Sequence, residues 1–157
     1  VSVQSHYNLF KRQIEKQTLP FCSTQKIGVL VYGALGRGVL TEKYLTANSH
    51  STYQNRANLS PSVSSDVTPF VLGKVQALND YAKSNFGTTV KELALAWLLH
   101  HSAFSSLIIG MRTLPQLAQN IAAASIVLSE QHLSEIDEII GELKGYTLFS
   151  FGSPNLE

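Results

Sequence analysis

The 157-residue chain contains a single cysteine and a single methionine. Because Cys22 alone cannot form an internal disulfide, the composition predicts a reducing compartment, and we expect the cytoplasm. No apolar run approaches the roughly 18 residues that a membrane-spanning helix requires, and we expect no signal peptide. The only methionine is Met111, so the sequence begins without an initiator, and we expect further residues upstream of Val1.

An excess of charge of either sign is also lacking. Twelve Lys and Arg residues stand against eleven Asp and Glu residues, which gives a net charge of +1. Without a basic stripe to neutralise phosphates, the chain is not expected to be a dedicated nucleic-acid binder. The length predicts one domain over residues 1–157, which buries roughly 70% of the surface of the unfolded chain.

Three segments are predicted as strands. Residues 1–8 alternate and begin with β-branched residues, residues 27–32 form a continuous apolar run typical of parallel sheets, and residues 107–109 are a short apolar segment. We expect each strand to be buried on both faces. Helical patterns separate and follow them, over residues 10–24, 70–85, 91–101, 115–124 and 129–144. In the first two of these, Phe21 and Phe70 are expected on the apolar stripes. Strands that alternate with helices predict a parallel sheet with right-handed crossovers, in the α/β class. Because three parallel strands leave two open edges and a complete (β/α)8 barrel needs about 250 residues, we expect part of such a barrel.

Local residues predict several helix ends. Pro69 suits a first helical position, Thr89 with Glu92 forms a capping box, and Ser129 is suited to cap the last helix. Pro20 is expected to end or kink the first helix. The polar residues 46–68 are long for a structureless loop and predict either a functional lid or partial disorder.

The segment GALGRG, residues 33–38, directly follows the second predicted strand. Its glycines lie in the wrong order for the dinucleotide fingerprint G-x-G-x-x-G, and Val39 stands where a Walker loop needs lysine. Glycines at the end of a strand still allow a ligand to approach the backbone closely. The segment is therefore either a plain tight turn or a ligand-binding loop.

A second candidate follows the third strand. Gly110 permits close backbone approach, and the Arg112 guanidinium suits a phosphate near the start of the next helix. Gln116, Gln119 and Asn120 recur at three- and four-residue intervals on one face of that helix. The pattern predicts an anion site with a polar ring, or else a capped surface helix with a solvated arginine.

The remaining residues with reactive or ionisable side chains do not predict a functional site. His100 and His101 end an apolar helix, where histidines more often complement the helix dipole than bind metal. Cys22 has no positioned histidine partner and is expected to be an inert, half-buried thiol. The acidic residues of the last helix predict a solvated face, and no G-x-S-x-G nucleophile elbow occurs.

At these strand ends the sequence resembles the aldo-keto reductases, a family of (β/α)8 barrels that bind NADPH without a Rossmann fold. VYGALGRGVLTEKY resembles the family's seventh-strand segment, and IIGMRTLPQLAQN its eighth strand with G-x-R-x-x-x-Q-x-x-x-N. VQSHYNLFKR is similar to the sixth strand with its Q-x-x-Y-N, and ELALAWLLHH to the family's A-L-A-W-x-L helix. The resemblance spans nearly the whole chain and implies strands six to eight of the barrel.

The resemblance implies cofactor-binding roles. Gln4 would bind the nicotinamide carboxamide, and Tyr32 would stack on the nicotinamide. The pyrophosphate would be contacted by Gly33, Leu35 and Arg37. The ribose and its 2′-phosphate would be surrounded by Gly110, Met111, Arg112 and Gln116, and Arg112 would favour NADPH over NADH. The adenine would be faced by Gln119 and Asn120. No metal is implied. Gly33 and Ala34 replace the family's usual Ser-Pro, which removes one hydroxyl from the pyrophosphate site.

The family's catalytic Asp, Tyr, Lys and His come from the first half of the barrel, and its D-x-x-x-x-Y pattern is absent from this sequence. The resemblance therefore implies the NADPH-binding half of a reductase of small aldehydes and ketones, and we expect no turnover by the chain alone. The alternative is a non-catalytic half-barrel that binds a companion half or itself through its open strand edges.

Overall fold

A computed structural model gives the structure of the protein over residues 1–45, 66–141 and 143. Residues 46–65, which make up most of the polar tract predicted as a lid or as partly disordered, lie outside the described residues. So does Lys144, where the last helix was predicted to end. In the part of the chain that is described, no helix is both long enough and apolar enough to cross a membrane.

Three strands form one parallel sheet in the order in which they occur along the chain. They are β1 (Ser2–His6), β2 (Gly28–Tyr32) and β3 (Ser106–Ile108). In the register of the sheet, His6 pairs with Tyr32, and Tyr32 pairs with Ile108. The predicted parallel sheet is thus confirmed, and the carboxyl ends of all three strands meet at one edge.

The described residues form five α-helices: α1 (Thr18–Thr24), α2 (Pro69–Phe86), α3 (Val90–His100), α4 (Leu114–Ala122) and α5 (Glu130–Ile140). The predicted helix starts are confirmed, because Pro69 opens α2 and Thr89 with Glu92 closes a capping box on α3. Ser129 caps α5 by accepting a hydrogen bond from the His132 backbone N–H.

Two expectations about the helices are wrong. Pro20 neither ends nor kinks α1 but occupies its first turn, where a missing N–H costs no helical hydrogen bond. Phe21 and Phe70 were expected on apolar stripes, yet they are 61% and 51% exposed. Phe21 lies in a helix of seven residues whose buried side chains are Leu19 and Cys22, and Phe70 lies in the first turn of α2.

Among the described residues, the sheet is covered on one face only. Val29 and Val31 are buried on the covered face, and alternation along the strands directs their neighbours to the other side. There Gln4 is exposed, Tyr32 is 41% exposed and Ile108 is 46% exposed. The expectation that each strand is buried on both faces is therefore wrong for the described residues.

The core lies between the covered sheet face and α3, which is buried along most of its length. The buried Tyr7 ring stacks on Trp97 with centroids 5.6 Å apart. The Arg12 guanidinium lies over the same indole and donates to Glu15 and Asp137, each at 2.6 Å. Asp137 thus binds a distant arginine, which corrects the expectation that the acidic face of α5 is only solvated.

Candidate functional site

The loops that follow β2 and β3 lie side by side because the two strands are neighbours in the sheet. Between these loops, with α3 and α4 behind them, is an open cleft of about 920 Å³. Nine of the eleven residues predicted to bind a cofactor line it: Gly33, Leu35, Arg37, Gly110, Met111, Arg112, Gln116, Gln119 and Asn120. Segments more than seventy residues apart in sequence are thus brought to one site.

The glycine-rich wall of the cleft is a tightly turned loop. Gly33 has φ +68°, and Arg37 also adopts a left-handed conformation with φ 55°. The loop closes on itself through the Gly36 N–H, which donates to the Gly33 carbonyl at 2.9 Å. The same carbonyl accepts from Asn8 Nδ2 at 2.9 Å, and Asn8 is fully buried. The backbone that faces the cleft is therefore held in place from the core.

The opposite wall is the corner between β3 and α4. Apart from its two chain neighbours, no described residue has an atom within 4 Å of the position that a Cβ on Gly110 would take, so a ligand can reach the backbone there. The Arg112 backbone N–H donates to Gln116 Oε1 at 2.8 Å, and Thr113 caps α4. These bonds hold the corner, while the Arg112 side chain is exposed on the lining of the cleft.

The lining of the cleft carries more positive than negative side chains. Its four cations are Arg37, Lys43, Lys91 and Arg112, and its two carboxylates are Glu42 and Glu92. Glu42 contacts Lys83 at 3.1 Å, outside the lining. Burial alone would raise the pKa of Glu92, but hydrogen bonds from Thr89 and the adjacent Lys91 charge lower it. The site therefore favours an anionic ligand.

Sequence reasoning missed Lys91. It lies in the first turn of α3, yet its Nζ donates to Gln119 Oε1 on α4 at 2.7 Å and approaches Glu92 at 3.4 Å. Its position next to the capping box was visible in the sequence. Only the packing of α3 against α4 brings it into the cleft, so no local pattern identified it.

Gln4 and Tyr32, the two predicted residues outside the cleft lining, lie on the uncovered sheet face beside it. Tyr32 immediately precedes Gly33, and its ring stacks on His6 with centroids 5.1 Å apart. Gln4 is two residues before His6 and therefore shares its face. The structure thus brings the predicted set to one cleft and the adjoining end of the bare face.

The weaker candidates do not join this site. Cys22 is buried at 4% exposure, more deeply than expected, and His100 approaches only Glu130, at 3.9 Å. Tyr7 donates its hydroxyl to Glu15, and burial with this hydrogen bond raises its pKa far above the usual value. Among residues 1–45 and 66–141, no three His, Cys, Asp or Glu side chains cluster as a metal site requires.

The Aldo/keto reductase family profile matches residues 1–141. The chain is 32% identical over 144 residues to a probable voltage-gated potassium channel subunit beta from Oryza sativa, a match over 87% of this chain and 43% of the relative. It is 30% identical over 139 residues to the aldo-keto reductase YhdN of Bacillus subtilis, covering 88% and 42% of the two chains. The chain thus spans less than half the length of these relatives.

The solved structure of a glycerol dehydrogenase from Gluconobacter oxydans has a similar fold. The two structures agree with a TM-score of 0.75 at 24% sequence identity, over 92% of this chain and 43% of the dehydrogenase. At that identity the likeness concerns the fold alone. It is consistent with the expectation that the three-stranded sheet is part of an α/β barrel.

Proposed function

The chain belongs to the aldo/keto reductase family, and on this premise we propose that it is the NADPH-binding part of a carbonyl reductase, equivalent to strands six to eight of the barrel. The observation that supports this most is the cleft, in which two strand-end loops predicted from sequence face each other across a cationic lining. Barrel enzymes of this kind bind their ligands at the carboxyl ends of the strands.

The residues of the cleft fit a phosphorylated dinucleotide. Gly33 and Gly110 offer backbone, Arg37 and Arg112 offer guanidinium groups, and Gln119 with Asn120 offers amides for a purine edge. When bound, the nicotinamide would supply hydride to the carbonyl carbon of a small aldehyde or ketone. This chain's residues would bind and orient the cofactor, with Tyr32 against the nicotinamide ring and Gln4 at its carboxamide.

We do not assign the protonation of the carbonyl to Tyr7. The Tyr7 hydroxyl is engaged by Glu15 in the core, and its raised pKa opposes ionisation. We therefore expect the isolated chain to bind NADPH without oxidising it in the presence of an aldehyde. A cytoplasmic location is part of the proposal, because the single cysteine is a buried thiol without a disulfide partner.

The Arg112 assignment can be tested by titrating the wild-type chain and Arg112→Ala with NADPH and NADH, following nicotinamide fluorescence. Loss of a charge-assisted contact to the 2′-phosphate should weaken NADPH binding about tenfold and leave NADH binding within about twofold. Lys16→Ala, an exposed cation outside the cleft lining, is the control. Equal wild-type affinities for the two dinucleotides would contradict the 2′-phosphate assignment.

A specific observation also favours the second candidate, a non-catalytic module that associates with a protein partner. No described residue covers the second face of the sheet, and three apolar residues that follow β3 in the sequence, Leu114, Ile121 and Val127, are 81%, 63% and 85% exposed. Two of the relatives are named as probable voltage-gated potassium channel beta subunits. Sedimentation tests the case in which the partner is a second copy of the chain: we expect self-association that Ile121→Lys reduces, and a well-behaved monomer would contradict association between copies.

A further inference from the structure

His6 lies where the side chain of residue 33 would be. A Cβ built on Gly33 would fall well inside 3.0 Å of the His6 Cδ2 and Nε2 atoms, closer than real Cβ contacts approach. Residue 33 also has φ +68°, a conformation that favours glycine. The imidazole therefore fills the space above the first residue of the cleft loop.

The same ring stacks on Tyr32. The two ring centroids are 5.1 Å apart and the planes differ by 22°, an arrangement close to parallel stacking. His6 and Tyr32 are register partners on neighbouring strands, so their side chains leave the sheet on the same, uncovered face. The stack covers one side of the phenol ring and leaves Tyr32 41% exposed.

Asn8 connects this stack with the loop. Its Nδ2 donates to the Gly33 carbonyl at 2.9 Å and lies 3.5 Å from His6 Nε2. Its Oδ1 accepts from the backbone N–H groups of Phe10 and Lys11 at 3.1 and 3.0 Å. The imidazole and the cleft loop thus share one buried anchor.

The imidazole is neutral at physiological pH. Burial, and then the charges of Lys11 and Arg37, lower the pKa of His6 to about 4. Besides the charges of these two cations, the ring has the Asn8 amide and the Tyr32 phenol among its neighbours. Its contact with Tyr32 is accordingly a stack of two neutral rings, for which planarity matters more than charge.

We propose that His6 is a positioning residue for the cofactor: it fills the space left by the missing side chain at Gly33 and holds the Tyr32 ring at the angle that receives the nicotinamide. The inference rests on the proposed function, since it needs a nicotinamide dinucleotide in the cleft. It assigns a role to a residue that belongs to neither the cleft lining nor the set predicted from sequence.

The test compares two probes by isothermal titration calorimetry on the full chain: NADPH, and 2′-phospho-ADP-ribose, which lacks the nicotinamide. His6→Ala should weaken NADPH binding about three- to tenfold, the range expected from one lost aromatic contact, and leave the second probe within about twofold. His6→Phe should retain NADPH affinity because it keeps a flat neutral ring, whereas His6→Leu should behave like His6→Ala. His100→Ala, an exposed histidine on α3, is the control.

The outcomes separate the two proposals. A wild-type chain that binds neither probe refutes the proposed function and this inference with it. A chain that binds both probes, with His6→Ala weakening both equally or neither, refutes only the positioning role, because a general structural defect does not discriminate between the probes. If circular dichroism shows that His6→Ala does not fold, the NADPH affinities of His6→Phe and His6→Leu are compared instead. Equal affinities of these two variants would refute the positioning role.

Discussion

Replacing Gly33 with alanine should destabilise the protein through two separable costs. Residue 33 has φ +68°, and an L-residue in the left-handed region costs about 1–2 kcal/mol. The new methyl group would also overlap the His6 ring, and overpacking a filled site costs roughly a further 1–3 kcal/mol. Gly33→Ala should therefore lower the free energy of unfolding by about 2–5 kcal/mol.

Gly87 offers a matched control within the same chain. It has nearly the same conformation, with φ +63°, but no atom lies within 4 Å of its built Cβ. Gly87→Ala should therefore show the backbone cost alone, about 1–2 kcal/mol. Urea unfolding followed by far-ultraviolet circular dichroism measures both variants, provided that their m-values agree.

A third variant, with both His6→Ala and Gly33→Ala, tests whether the methyl group at residue 33 overlaps the His6 ring. In a His6→Ala background the ring is gone, so Gly33→Ala should cost no more than Gly87→Ala, and the difference of roughly 1–3 kcal/mol is the coupling between residues 6 and 33. Equal losses for Gly33→Ala with and without His6 would refute the reasoning, because the ring would then not occupy the space above residue 33.

Three further perturbations test a cap, an ion pair and a titration. Thr89→Ala removes the cap of α3 and should lower the free energy of unfolding by about 1 kcal/mol, against less than about 0.5 kcal/mol for Thr88→Ala, compared by urea denaturation. Arg12→Met should cost about 2 kcal/mol in the same assay, less than the roughly 3–5 kcal/mol of a fully buried pair, because both carboxylates are about 30% exposed; no loss would contradict a stabilising pair. Between pH 6.5 and 4, His6 binds a proton in the unfolded state but not in the folded state, so lowering the pH over this range should reduce stability more in wild type than in His6→Phe. Melting temperatures that change equally with pH in the two proteins would contradict the lowered pKa of His6.

Local signals predicted the secondary structure because each depends on neighbouring residues. The apolar run before Gly33 indicated β2, and the Thr-x-x-Glu pattern indicated the start of α3. The prediction that Phe21 and Phe70 lie on core-facing stripes was wrong because periodicity shows which residues share a helix face but not how far the core extends along that face.

The ion pair between Arg12 and Asp137 joins residues 125 positions apart. From the sequence, Asp137 was one of several acids on the polar side of α5, and nothing local distinguished it from the others. The pair forms because the Arg12 guanidinium lies over the Trp97 indole of α3, where Asp137 of α5 comes within 2.6 Å of it. Such pairs depend on how elements pack, and a one-dimensional pattern does not contain that information.

The sequence by itself determined the order of the elements, the parallel sheet and the two strand-end loops, because glycine placement, capping residues and apolar runs act over a few residues. Tertiary structure alone decided that these loops face each other across one cleft, that Lys91 enters it from α3, and that one sheet face stays bare. It also decided that the His6 ring fills the space above Gly33, since that contact follows from the register of β1 on β2. The register of the strands and the packing of the helices depend on many small free-energy contributions from side chains that are buried together but lie far apart in sequence. A short segment of sequence does not contain that information.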